Sequence, residues 1–195
     1  EGFAVPSAVG FSATAIPGSL FGAREFAHET VLAHLLSTGA LWEQIRMKGG
    51  AYGAHCGAYG REEVFSFSSY RDPNIASTFQ VFRESLEEAA LRAPDVRTVQ
   101  NGIIGTVAKD MRPLSPSGKS IVAFKRVLYN IDDTLREQHR EFLLETKRED
   151  IRKAAERLLE RFNKGYSAVM AGRSALEEAA RKIPQLRESI RDLPL

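Results

Sequence analysis

Apolar and polar positions alternate from the first residues of the chain. Phe3, Val5, Val9 and Phe11 share one parity, which predicts an extended strand over 3–16 with these side chains on its buried face. Pro17-Gly18 ends it. From Arg24 to Arg46 the period lengthens: Phe26, Val31, Leu35, Trp42 and Ile45 recur near helical spacing. Gly39 kinks or divides this helix, and Gly49-Gly50 stops it, since glycine readily takes the left-handed conformation past a helix end. Alternation returns over Ala51–Tyr59 and Val64–Tyr70, where Phe65 and Phe67 oppose Ser66 and Ser68. Gly60-Arg61-Glu62-Glu63 between them reads as a hairpin loop. Arg71-Asp72-Pro73-Asn74 then opens a helix, with Asp72 as N-cap, Pro73 in the first position, and Ile75, Phe79, Phe82 and Leu86 as its apolar stripe.

The second half is mostly helical. Pro94-Asp95 starts a helix with Val96, Val99, Ile103 and Val107 facing inward, 112–119 is a Pro/Ser/Gly loop, and helices resume near Ser120. Thr146 with Glu149, and Ser174 with Glu177, have the spacing of capping boxes. Lys164-Gly165 separates a helix from a short strand over Tyr166–Ala171, and Pro184 stops the last clear helix. Hairpin pairing with grouped helices predicts an α+β domain spanning 1–195, an antiparallel sheet with several helices packed on one face.

Composition narrows the function classes. Apolar residues make up 43% of the 195, enough for a core that needs no disulfide or metal. No run reaches the ~18 apolar residues of a membrane span, and the start shows no signal-peptide pattern. The single cysteine, Cys56, excludes an internal disulfide and a cysteine metal cluster, and is compatible with a reducing interior, cytoplasmic or organellar. Net charge is +2, and between Arg136 and Lys164 9 basic residues intermix with 7 acidic ones. Glu149/Lys153 and Glu160/Lys164 there have the i,i+4 spacing of solvated helix faces, so no nucleic-acid surface is expected.

Familiar catalytic patterns are incomplete. His28-Glu29 begins a helical zinc motif, but the position four residues on is Leu32. His34, six residues on, lies about 120° around the helix from His28 and cannot share an ion with it. Ser117-Gly118-Lys119-Ser120 contains G-K-S, yet Pro113 stands where a phosphate loop needs its first glycine. His55 and Cys56 are strand neighbours and point to opposite faces, so they form no nucleophile–base pair.

The junction Arg46–Tyr52 is different. A helix-terminal guanidinium, two glycines and a phenol at the start of a strand are what a peptide-gripping corner would use. Glycines admit a substrate backbone, the guanidinium offers donors to carbonyl oxygens, and the phenol can donate to an oxyanion. The same residues also fit a favourable cation at a helix C-terminus beside an ordinary strand aromatic.

Here the sequence resembles the insulinase/pitrilysin family of inverted-motif zinc peptidases, in its presequence protease branch. The resemblance is carried by Leu41-Trp42, Ile45-Arg46 and Lys48-Gly49-Gly50-Ala51-Tyr52-Gly53, by Ser69-Tyr70-Arg71-Asp72-Pro73-Asn74, and more loosely by Lys109-Asp110, Ser115-Pro116 and Arg140–Asp150. It implies the C-terminal, fourth domain of a peptidase whose two halves close around a peptide. By that resemblance Tyr52 is catalytic and stabilises the tetrahedral intermediate, while Arg46, Gly49 and Gly50 bind substrate. Zinc belongs to the N-terminal half, through H-x-x-E-H, which does not occur here. The expectations are therefore no metal bound by this chain, no cleavage by it alone, partnership with an N-terminal half and with peptides, and self-association of the isolated domain through a normally covered apolar surface. The alternative is a non-catalytic structural subunit of the same superfamily.

Overall fold

The central hairpin forms as its alternation requires. In a computed structural model, which describes residues 1–193, strand β3 (Gly53–Tyr59) pairs antiparallel with β4 (Val64–Tyr70) from Gly53↔Tyr70 to Tyr59↔Val64. Phe65 and Phe67 are fully buried on one face of β4. The other strands are β1 (Gly2–Ala4), β2 (Phe11–Pro17), β5 (Tyr166–Ala171) and β6 (Ile190–Asp192). They complete one sheet in the order β3-β4-β2-β5-β1-β6. The helices are α1 (Arg24–Thr38), a π-helix over Trp42–Lys48, α2 (Ile75–Leu91), α3 (Val96–Asp110), α4 (Pro116–Leu128), α5 (Asp133–Glu145), α6 (Arg148–Phe162), α7 (Arg173–Lys182) and α8 (Pro184–Arg187).

The fold is α+β, but the sheet is mixed rather than wholly antiparallel. Four strands run antiparallel, whereas β1 lies parallel to both β5 and β6. The reason is the crossover β5–α7–α8–β6, whose helices return the chain to the same end and leave a slot that β1 fills. Strand β6 has too few residues to show a period, so the pattern did not reveal it.

The N-terminal strand needs two corrections. It is two strands, separated where Pro6 cannot donate to a ladder and the Ser7 hydroxyl donates to Val9 O at 2.8 Å. Its buried parity is also the opposite one. Ala4, Ser12, Thr14 and Ile16 are buried, while Phe3, Val5, Val9 and Phe11 are half-buried on the other face. On that face the Thr14 and Ser167 hydroxyls bond each other at 2.8 Å, while the Ser12 hydroxyl is buried without a partner among the described residues.

All the buried packing is on one side of the sheet. Ile16, Ala54, Phe65 and Phe67 join Val31, Leu32, Phe82, Leu86 and Leu158 from the helices in the main core, with Phe67 stacked on Phe82 at 5.2 Å. Ala4, Val169 and Ala171 meet Leu176, Ala179 and Leu186 in a second cluster. The opposite face stays open, with Phe11, Tyr70, His55 and Tyr166 half-buried or exposed.

Several helix boundaries move for local reasons. Helix α2 starts at Ile75 with Asn74 as N-cap, so Asp72 supports the helix start from two residues further out. Helix α4 begins inside the expected loop, because the Ser115 hydroxyl accepts from Gly118 N–H with Pro116 in the first turn. Thr146 donates back to Phe142 O instead of capping. Lys147 is the N-cap of α6, and its N–H donates to Asp150 at 2.9 Å. Gly172 rather than Ser174 caps α7, and Pro184 opens α8 rather than only ending α7. Val96 is exposed, unlike Val99. Glu149 pairs with Arg152 at 2.9 Å, not with Lys153.

Burial holds His28, His34 and His139 below the ordinary histidine value of 6.5. The unfolded chain therefore binds more protons than the folded one as pH falls through and below about 6.5, and stability drops on acidification in that window. Burial of Glu29 raises its pKa above 4.5 and gives a slope of the opposite sign, at the acid end. Urea midpoints between pH 7.5 and 5.5 should fall with pH, and His139→Gln should flatten the slope.

Candidate functional site: the elbow between the π-helix and the sheet

The glycines of the elbow are there for two different reasons. At Gly49 a Cβ would sit 2.6 Å from Ile45 O and 3.0 Å from Gln44 O, so the backbone itself occupies the space. At Gly50 φ is +77°, in the region that penalises any other residue. Two nested bonds close the helix end, from Gly50 N–H to Arg46 O and from Ala51 N–H to Ile45 O, both 3.1 Å. Helical periodicity predicts ordinary α-helix as far as Arg46, but the segment Trp42–Lys48 departs from it. It is a π-helix, whose wider turn changes the direction in which successive side chains leave the axis.

Arg46 and Tyr52 both end up on the surface. Tyr52 is 68% exposed, and its N–H donates to Tyr70 O at 3.1 Å and to Arg71 O at 3.4 Å, which fixes the start of β3. Its ring meets Tyr70 edge-on at 5.7 Å, and Tyr70 meets Phe11 edge-on at 5.3 Å. This aromatic row runs onto the open face of the sheet. Arg46 is exposed on the π-helix, and Gly49 and Gly50 lie between the two side chains. Neither Arg46 nor Tyr52 lines a cavity formed by the described residues.

The two sequence motifs prove to be one structural unit. Arg71 has φ +52°, turning the chain sharply after β4. Asp72 is 1% exposed, and its carboxylate accepts from Asn74 N–H at 2.8 Å and from the Thr78 hydroxyl at 2.5 Å. Its backbone bridges to Gly10 at 2.7 and 2.8 Å. Asn74 then donates through Nδ2 to Gly49 O at 2.5 Å. So 69–74 clamps the elbow from behind. Asp72 and Asn74 brace the elbow, which spacing arguments missed because Asn74 reaches Gly49 across 25 residues of sequence.

The side chains present do not fit a zinc site. Glu29 is fully buried, and both its oxygens are taken by Ser19, from the N–H at 2.9 Å and the hydroxyl at 2.6 Å. His28 turns toward Asp150, 4.0 Å away, while His34 faces α3, His55 lies on the open face and His139 packs against Phe21 and Phe26. Among the described residues no group of three or more His, Cys, Asp or Glu is placed to hold a metal. Burial pushes the Cys56 thiol up, and the hydroxyl of Ser37 donates to its carbonyl, so it is no nucleophile at neutral pH. The G-K-S run lies in the first turns of α4 with no strand before it.

Residues 1–173 match the family described as the PreP C-terminal domain. This chain belongs to that family. Its relatives include the mitochondrial presequence protease of Eremothecium gossypii, 32% identical over 155 residues, which covers 77% of this chain and 15% of that protein. The chloroplastic/mitochondrial presequence protease 1 of Arabidopsis thaliana is 29% identical over 149 residues, 76% of this chain and 14% of that protein. A Borreliella burgdorferi protein without assigned function is 29% identical over 183 residues, 93% of this chain and 19% of its own length. The chain thus spans less than a fifth of each of these relatives. Among solved structures, a Helicobacter pylori protease superposes with a TM-score of 0.71 at 17% identity, covering 88% of this chain and 43% of that one. The peptidase M16 inactive domain from Pseudomonas fluorescens gives 0.66 at 15% identity, covering 88% of this chain and 43% of that one. At such identities these two show the fold.

Proposed function

We propose that this PreP-type C-terminal domain grips substrate and stabilises the transition state in a zinc-dependent endopeptidase that degrades peptides inside a closed chamber. The observation that carries the reading is the clamped elbow, whose backbone is fixed by hydrogen bonds from Gly50, Ala51 and Tyr52 N–H and to Gly49 O while the Arg46 and Tyr52 side chains stay in solvent. A guanidinium held on a rigid helix end binds substrate carbonyl oxygens, and a phenol at a strand start donates to the oxyanion that forms on the attacked carbonyl. Gly49 and Gly50 keep the approach free of side chains. The metal ligands belong to the N-terminal half of the same protein, the partner that closes over this surface.

Purified alone, the chain should cleave no peptide, and adding a chelator should change nothing. The enclosing protein should cleave peptides in a chelator-sensitive manner. Chelator-sensitive cleavage by the 195-residue chain itself would overturn the reading.

The missing half also leaves an apolar surface for self-association. Helix α4 buries none of its residues, and Phe124, Val127 and Leu128 project into solvent. Sedimentation of the isolated chain should show dimers or larger species, and Phe124→Glu should return it to monomer.

The second reading, a structural subunit without a catalytic role, is favoured by the solved neighbour described as an inactive domain. Under it the elbow side chains would be dispensable in the whole protein.

A further inference from the structure

A group of unsatisfied polar atoms lies at the outer edge of β3, away from the elbow. A cavity of about 580 Å³ is enclosed there by α1, the β3–β4 turn, α3, α4 and α5. The backbone of Cys56 points outward from the sheet, since its N–H and C=O both bond the Ser37 hydroxyl, at 2.8 and 3.1 Å. Antiparallel alternation then turns the N–H and C=O of Ala58 outward as well, into the cavity.

The wall facing that strand edge is polar and unmet. Thr106 is 6% exposed, and its hydroxyl has no hydrogen-bond partner among the described residues. The same is true of Nδ1 of His34 and of His139, both of which line the cavity. Gly105 makes the arrangement possible, because a Cβ there would lie 2.1 Å from His34 Nε2. Buried polar atoms of this kind are normally satisfied by another protein group or by ordered water, so this wall can accept a polar guest. Cations surround the opening, notably Lys109, Lys125 and Arg136; the carboxylates beside them are Asp110, 3.6 Å from Arg140, and the exposed Asp133, which pairs with Arg136 at 2.5 Å. The outer wall is apolar, with Ile121 and Val122 of α4 facing the space and nothing buried behind them.

We propose that this cavity binds the terminal carboxylate of a short extended peptide. The peptide adds to the edge of β3 at Ala58, its apolar side chains cover Ile121 and Val122, and its carboxylate sits among Lys109, Arg136 and the Thr106 hydroxyl. Strand addition supplies main-chain hydrogen bonds, and the cations supply selectivity for a free C-terminus. The assignment is independent of Arg46 and Tyr52, which lie outside the cavity.

Three probes titrated against the chain test this: a fluorescent alanine peptide with a free C-terminus, the same peptide as its C-terminal amide, and inorganic phosphate. The free acid should bind about tenfold more tightly than the amide, and Lys109→Ala or Arg136→Ala should remove about that factor. Thr106→Val should weaken binding about threefold, and Arg187→Ala, on α8 and outside the cavity, should leave it unchanged. Phosphate should displace the acid only weakly. Lys109 is exposed, so its substitution tests the site even where Thr106→Val fails to fold. Equal binding of acid and amide, binding of phosphate but not of peptide, or loss of binding in Arg187→Ala would each overturn the proposal.

Discussion

Tyr52→Phe in the whole peptidase should lower kcat about a hundredfold while KM changes by no more than about twofold. The asymmetry follows from what the phenol touches. Its ring keeps the edge contact with Tyr70 after the change, and the backbone bonds to Tyr70 and Arg71 do not involve the hydroxyl. Under the proposed role, only a hydrogen bond to an oxygen that gains charge in the transition state is lost, so the cost appears in kcat. Arg46→Ala should raise KM as well, because a guanidinium on substrate carbonyls acts in the ground state too. Steady-state kinetics on the two variants separates the readings. Wild-type cleavage by both would leave the domain a structural role.

The largest effect on stability should come from Asp72→Ala, about 3 kcal/mol by urea denaturation. The buried carboxylate satisfies Asn74 N–H and the Thr78 hydroxyl, and Thr78 itself is 2% exposed. Removing it leaves the buried Thr78 hydroxyl without its partner and frees Asn74 N–H at the more open end of the turn. Asp72→Asn keeps one acceptor and should lose roughly half as much. The same change loosens the elbow, since Asn74 holds Gly49 O only while α2 starts where Asp72 puts it. In the whole enzyme Asp72→Asn should therefore raise KM without the kcat loss of Tyr52→Phe. A stability change under about 0.5 kcal/mol for Asp72→Ala would show that the clamp is not what holds the turn.

Self-contained segments were the ones legible in the sequence. The β3–β4 hairpin, the helix over 24–38, the break at Gly39 and the stop at Gly49-Gly50 each rest on contacts within a few residues, where periodicity and glycine chemistry decide. The elbow's composition was readable for the same reason. The capping boxes at Thr146 and Ser174 were displaced because α6 and α7 start from Lys147 and Gly172, while the Thr146 hydroxyl bonds Phe142 O in the preceding helix. A spacing rule does not rank such neighbours.

The sequence by itself determined the α+β class, the helix–glycine–tyrosine elbow, the lack of a zinc motif, and the family, through Gly49-Gly50-Ala51-Tyr52 and Tyr70-Arg71-Asp72-Pro73-Asn74. Tertiary structure alone decided three things. The first is which parity of 2–16 is buried, because Phe and Val alternate with small residues there and only the helix layer chooses the side. The second is the parallel insertion of β1 between β5 and β6, a pairing across more than 160 residues that no local pattern encodes. The third is that Asp72 and Asn74 brace the Arg46–Tyr52 elbow, since a hydrogen bond between distant segments exists only once both have been brought to one place.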